Sequence, residues 1–471
     1  MNYGVNPMMG KQFPAMLEYY FDTATDDDYF FAGVSGAGYA YPDLMPSVKG
    51  FAACSGKLFR QSDIMISDIW HGKQSLPEYA RIAQPDGFTC TDLNRWPSGF
   101  VQRSGWDGNV SMLPGGVPVI FHQLGYWQAF AAHGYPSWQD CVAGHAEEAI
   151  DWLIKRIDEI ETVNQTPSFI IVYSDLHNYD KQCTFHKKIA ARLSADRFKV
   201  VRLDEMMAAA KLAYSDRLVL KTPRIVYVPR QTEYPVDIPL LQNTYAVGVA
   251  ADAEIRDAAT QAVLWHQTLE LEPWEEVGAA FKAGCSESRK LLISVSHAGQ
   301  RDNDEAFLNA VPLPEAYRDR TLVFNRSYTA IEGSFRTGSL GQDAQSPAGY
   351  ARTASVMNGD AAEYLFYGPF RAFSKDGTYI ACFSLKSSEN TSPAPTATID
   401  VYDHPGLFPT DCTLGSAVIK GTDFRQAGEY QWFFVPFEWN RNDGGFVEFR
   451  VFWHGTSDLA LDQIVVFGIN R

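Results

Sequence analysis

No stretch of this chain holds the roughly 18 consecutive apolar residues that a membrane-spanning helix needs, so no transmembrane segment is predicted. Basic residues are in deficit. The 40 Lys and Arg against 56 Asp and Glu leave a net charge of −16, which argues against nucleic acid, with its phosphate backbone, as a partner. The seven cysteines, at 54, 90, 141, 183, 285, 382 and 412, include no C-x-x-C pair and no zinc-type spacing. Their odd number forbids complete internal pairing, and buried free thiols are expected. The opening Met1-Asn-Tyr-Gly-Val-Asn-Pro has neither the basic nor the apolar region of a secretory signal. No internal repeat of about 20–50 residues stands out.

Three familiar glycine chemistries are missing as well, although Gly33-Val-Ser-Gly36-Ala-Gly38 invites them. A dinucleotide fingerprint needs G-x-G-x-x-G opening a helix; here the spacing is reversed, and Pro42 and Pro46 fall where that helix would run. A nucleophile elbow, G-x-S-x-G, needs glycine where Ala37 stands. A P-loop needs a Lys-Ser/Thr pair after its glycines, and no such pair is present.

What is present points elsewhere. The chain has 471 residues, enough for two to four domains at about 100–200 residues each. The aromatic, β-branched run Tyr29–Val34 reads as a buried strand. It empties into Ser35-Gly36-Ala37-Gly38-Tyr39-Ala40-Tyr41-Pro42. Glycine allows a tight turn or the close approach of a ligand, and proline stops the loop from continuing as a regular element. Tyr39 and Tyr41, beside the carboxyl end of a strand, suit stacking on a sugar face while their hydroxyls hydrogen-bond it.

The run Gly36-x-Gly38-Tyr39-x-Tyr41-Pro42 resembles the signature of the GxGYxYP family of glycoside hydrolases. The resemblance implies sugar chemistry and a carbohydrate substrate. It also implies a longer segment ahead of the signature than the 35 residues present, so the chain is expected to lack an N-terminal part. Localisation therefore stays open, with an extracytoplasmic place expected if that segment once carried an export signal. The oligomeric state also stays open.

To about residue 220, strands alternate with helices. Strands are predicted at Tyr29–Val34, Ile64–Ile69, Gly87–Thr91, Val117–Phe121, Ser168–Tyr173 and Phe198–Leu203, with a broken one at Tyr3–Val5. Helices are predicted at His145–Glu161, Lys187–Leu193 and Glu205–Tyr214. This order predicts an α/β fold with an incomplete (β/α) barrel-like parallel domain over residues 1–222; an open doubly wound sheet is the alternative. Residues 223–345 read as a β-rich middle domain ending in the apolar-poor linker 333–349. Residues 346–471 read as an antiparallel β-sandwich of the carbohydrate-binding-module kind.

In parallel β/α architectures chemistry sits at the carboxyl ends of the strands. Those ends carry Ser35 and the signature loop, Asp68 with Trp70 and His71, Asp92, His122 with Trp127, and Asp175 with His177. Asp204 also follows a strand candidate, and it suits an N-cap of the next helix. Glycoside hydrolysis needs two carboxyl groups flanking the scissile bond. Asp68 and Asp175 are the candidate pair and Asp92 the reserve. Tyr39, Tyr41, Trp70 and Trp127 would stack on sugar rings; His71, His122 and His177, with Ser35, Gly36 and Gly38 shaping the loop, would meet hydroxyls. No cofactor and no metal is expected in this reading. Two alternatives stay open: a metal-dependent polysaccharide hydrolase or deacetylase, which mixed Asp/His strand ends would suit, and a non-catalytic glycan-binding protein.

Overall fold

The computed structural model describes residues 2–70, 74–90, 100–101, 110–121, 124–125, 146–163, 168–173, 184–318, 320–368, 373, 376–404, 412–440 and 446–469. The N-terminal sheet contains β1 (Asn2–Val5), β2 (Tyr29–Ala32), β3 (Ile66–Ile69) and β4 (Gly87–Cys90). A two-residue β5 (Phe100–Val101) departs to another sheet, and β6 (Val110–Leu113) and β7 (Val117–Phe121) complete the first. The order is β1-β2-β3-β4-β7-β6, parallel from β1 to β7 with β6 antiparallel at the edge. β3, β4, β6 and β7 are buried at every position, as continuous apolar runs covered on both faces should be. Among the described residues this sheet is a row with two ends.

Helices α1 (Met9–Gln12), α2 (Pro14–Thr23), α3 (Lys49–Ser62) and α4 (Leu76–Ala83) connect these strands. α3 buries Ala52, Ser55, Gly56 and Phe59, a stripe at helical spacing. A Cβ at Gly56 would lie 2.6 Å from the Ala83 carbonyl oxygen, so glycine is what lets α3 pass α4. Later come α5 (Ala146–Val163), α6 (Thr184–Arg192) and α7 (Leu203–Tyr214), close to the three expected helices. Two strand expectations need correction. Phe198–Leu203 is not a strand, because α7 already begins at Leu203; Asp204 consequently sits in the first helical turn, ion-paired with Arg202 at 2.7 Å, and Arg202 is the N-cap residue. The run Ser168–Tyr173 shortens to β9 (Val172–Tyr173), parallel to β8 (Leu124–Gly125).

The middle of the chain forms β10 (Leu218–Leu220), β11 (Ile225–Pro229), β12 (Gln231–Asn243), β13 (Val249–Asp257), β14 (Val263–Leu271), β15 (Glu276–Cys285), β16 (Arg289–His297) and β17 (Gln300–Val311). They make a β10-β12-β15 sheet and a β14-β13-β16-β17-β11-β5 sheet. Val236, Ile238 and Phe281 of one meet Ala253, Ile255 and Ile293 of the other in a shared core. Pro235 and Pro239 are tolerated in β12 because β10 pairs only with Leu241–Asn243, leaving the prolines at an edge.

The remaining strands are β18 (Leu322–Thr329), β19 (Ser339–Gln342), β20 (Tyr350–Ala354), β21 (Tyr364–Phe366), β22 (Gly377–Ser387), β23 (Pro395–His404), β24 (Thr413–Lys420), β25 (Gln431–Trp439), β26 (Phe446–Trp453) and β27 (Leu459–Ile469). One sheet runs β19-β20-β27-β22-β25, with β18 also pairing β27; the other runs β21-β26-β23-β24. Ile399, Val401, Phe449 and Trp453 of the second pack on Phe383, Val435 and Leu461 of the first. β18 and β19 enter this sandwich from before residue 346, and β19 lies inside the stretch expected to be a linker.

The far side of the first sheet is covered by α5. Ile150, Leu153 and Ile157 share a core with Ile380, Cys382, Val465 and Phe467. Within it Arg156, Glu159 and Arg352 form a buried charge triad. Glu159 Oε2 accepts from Arg156 Nη1 at 2.7 Å and from Arg352 Nη2 at 2.9 Å, and the Arg352 guanidinium lies 3.7 Å from the centre of the Phe335 ring. Burial alone would raise the Glu159 carboxyl, yet Arg352 and Arg156 outweigh it and hold it at about 2. Among the described cysteines, Cys90, Cys285 and Cys382 are buried and Cys54 is exposed.

Candidate functional site

The loop after β2 turns sharply because two consecutive residues take left-handed backbone, Ser35 at φ 71° and Gly36 at φ 105°. Ser35 is fully buried and anchors three elements at once. Its N–H donates to the Asp68 carbonyl at 2.6 Å, its Oγ accepts from the Trp70 N–H at 3.2 Å, and its carbonyl accepts from the Tyr79 hydroxyl of α4 at 2.6 Å. Burial pushes the Tyr79 hydroxyl well above the ordinary tyrosine range, so it stays a donor. A Cβ at Gly36 would sit 2.3 Å from that hydroxyl and 2.7 Å from Ser55 Oγ. Glycine is obligatory there for both reasons. Gly38, in contrast, has open space where a Cβ would stand.

Beyond this anchor the loop presents its aromatics. Tyr39 is 68% exposed, and its hydroxyl lies 3.0 Å from that of Tyr41. The two rings meet edge to face at 5.6 Å, and Tyr39 meets Trp70 in the same manner at 6.1 Å. Pro42 opens a short 3₁₀ turn, within which the Asp43 carboxylate accepts from the Gln74 and Ser75 N–H groups at 3.2 and 2.9 Å. That contact ties the signature loop to the start of α4.

Asp68 lies in β3, 1% exposed. Its Oδ2 accepts from the Trp70 indole N–H at 2.8 Å and its Oδ1 from the Thr89 hydroxyl at 2.7 Å. The structure thus brings Ser35, Gly36, Gly38, Tyr39, Tyr41, Asp68 and Trp70 together at the carboxyl ends of β2 and β3. Asp92, Asp175, His71, His122, Trp127 and His177 lie outside the described residues. Ser55, Tyr79 and Thr89 complete the arrangement and carry no local sequence signal; each reaches the site from another element. Among the described residues, no group of three or more His, Cys, Asp and Glu side chains is placed to hold a metal ion, and no helix is long and apolar enough to cross a membrane.

A cavity of about 550 Å³ opens at the opposite, amino ends of the strands, lined by Ile66, Asp86, Val117, Asp204 and Lys211 among others. It is not contiguous with the tyrosine loop in the sheet's geometry, since Ile66 and Val117 begin their strands.

No curated protein matches the chain significantly. Among solved structures it is similar to a β-glucuronidase from Bacteroides uniformis, at 12% identity and a TM-score of 0.19, covering 92% of this chain and 52% of that one. It is also similar to the N-terminal CBM22-1–CBM22-2 tandem domain of Paenibacillus barcinonensis Xyn10C, at 8% identity and a TM-score of 0.24, covering 52% of this chain and 80% of that one. At such TM-scores neither likeness carries weight for fold or activity. The chain spans about half the length of the glucuronidase. Residues 1–211 match a family model described as "GxGYxYP putative glycoside hydrolase C-terminal domain", and the run Gly36-x-Gly38-Tyr39-x-Tyr41-Pro42 lies within the matched residues.

Proposed function

We propose that this chain acts on poly- or oligosaccharides as a glycoside hydrolase, with its site at the carboxyl ends of β2 and β3. The observation that carries the proposal is the aromatic cluster of exposed Tyr39 with half-buried Tyr41 and Trp70, joined to the Asp68 carboxylate through the Trp70 indole N–H. Aromatic faces take the C–H side of a sugar ring, and tyrosine hydroxyls meet its edge. Asp68 and Asp175 are proposed as the carboxyl pair, Asp92 as the reserve, and His71, His122, Trp127 and His177 as further sugar contacts. The pair should stand about 5–5.5 Å apart for retention of configuration or about 6.5–9.5 Å for inversion. The proposal includes a division into residues 1–222 as a barrel-like catalytic part, 223–345 as a β-rich middle part, and 346–471 as a carbohydrate-binding sandwich.

Reducing-end release on a broad glycan panel tests the activity. Asp68→Asn should abolish release, because the amide keeps the shape but transfers no proton. Tyr39→Ala should raise KM by losing stacking area while changing kcat less. One observation favours a second reading: both Asp68 oxygens already hold donors and the group is 1% exposed, which suits a positioning role in a non-catalytic glycan-binding protein. Binding of a glycan by the wild-type chain, with no hydrolysis across the panel, would decide for that reading.

A further inference from the structure

We propose that the outer face of the β21-β26-β23-β24 sheet is a binding face for a neutral oligosaccharide, separate from the tyrosine loop. This rests on reading the C-terminal sandwich as a carbohydrate-binding module, and it assigns the face and the residues. Strand alternation sends Ile399, Val401, Phe449 and Val451 into the core. The intervening residues face outward in opposed pairs: Thr398 with Phe452, Asp400 with Arg450, and Tyr402 with Glu448. On the neighbouring strand Tyr364 stands opposite Phe452, the rings edge to face at 5.3 Å.

Polar groups and rings are interleaved across this face. Arg450 Nε and Nη2 grip Asp400 at 2.6 and 3.2 Å, and the guanidinium lies 4.0 Å from the Tyr402 ring centre and 5.6 Å from that of Tyr364. Arg336 lies 5.8 Å from the Tyr364 ring centre. Thr398 Oγ1 meets His454 Nε2 at 2.9 Å. In their midst Glu448 is only 5% exposed, and among the described residues nothing hydrogen-bonds its carboxyl group. Its oxygens keep contact with solvent, so the hydroxyl of a ligand can reach a carboxyl that no neighbouring side chain has taken. Burial raises it to about 7 despite the nearby Arg450.

The chemistry selects the occupant. Asp400 is committed to Arg450, which leaves too few free carboxylates for a cation site, and Glu448 with Glu363 near the same rings disfavours an anion. Hydroxyl donors for Glu448, together with C–H faces for Tyr402 and Tyr364, describe an uncharged sugar. On β24, Ser416 and Val418 stand opposite Asp400 and Thr398 and are exposed, so the face is open on that side.

The test is native affinity electrophoresis of the full chain in gels holding soluble β-glucan, xylan or galactomannan. It is run in a Tyr39→Ala/Asp68→Asn background, which weakens the loop site and stops its turnover, and retention is compared between variants in that same background so that a change reports on the sandwich. At least one polysaccharide should retard the protein. Tyr402→Ala and Glu448→Ala should each weaken that retention about tenfold or more. Because no described residue hydrogen-bonds the Glu448 carboxyl, Glu448→Ala should melt no lower than its parent, and it decides the outcome if Tyr402→Ala folds poorly. Retention by none of the three polysaccharides, or undiminished retention of Glu448→Ala, overturns the proposal.

Discussion

Gly36 is the residue whose replacement has the most direct consequence. An alanine there meets the Tyr79 hydroxyl and Ser55 Oγ while holding φ at 105°, a strain of about 1–3 kcal/mol from the backbone alone. Gly36→Ala should therefore lower the urea midpoint clearly, whereas Gly38→Ala, with open space around it and no positive φ, should not. Asp68 separates in the same way. In Asp68→Asn the amide oxygen still accepts from Trp70 and the Thr89 hydroxyl turns to accept from the amide nitrogen, so stability should hold. Asp68→Ala leaves two donors without an acceptor and should cost about 1–3 kcal/mol by chemical denaturation. The glycines, tyrosines and proline of the loop were legible in sequence because they act where they stand. Ser55, Tyr79 and Thr89 were not, because they reach their partners from 18, 44 and 21 residues away.

Elements were legible where burial is uniform. The apolar runs of β3, β4 and β7 stand out because both faces are covered, and α5 stands out by its periodicity. β6 has no such signature, because its hydroxyl and thioether residues, Ser111 and Met112, interrupt the pattern, and only its pairing with β7 defines it. Phe198–Leu203 looks like a strand by composition, yet Arg202 and Asp204 bond to each other and start α7. β18 is the element with the sharpest test. It pairs along β27 from Leu322 to Thr329, so a fragment of residues 346–471 bares that strand edge, a known route to aggregation. A fragment of residues 320–471 keeps it. The longer fragment should show the more cooperative melt and the smaller sedimenting fraction.

At the scale of the whole molecule, the triad of Arg156, Glu159 and Arg352 binds α5 to the sandwich. Glu159→Gln leaves two buried guanidinium groups without their counter-charge and should cost about 3–5 kcal/mol, read as a fall in the thermal midpoint. The pH dependence follows from the depressed carboxyl. A group held at about 2 when folded, against an ordinary value of 4.5, contributes its full stability above that ordinary value. The contribution fades as pH falls from there through about 2. Acid titration of the wild type should show this loss, and Glu159→Gln should flatten it.

The separation of 193 residues between Glu159 and Arg352 also bears on how the chain is made. At a synthesis rate of about 5–20 residues per second, roughly 10–40 s pass before Arg352 follows Glu159 out of the ribosome. Throughout that interval α5 carries its ionisable groups and its apolar stripe with no sandwich to receive them. The first part of the nascent protein must therefore wait, tended or unfinished, for the last part to arrive.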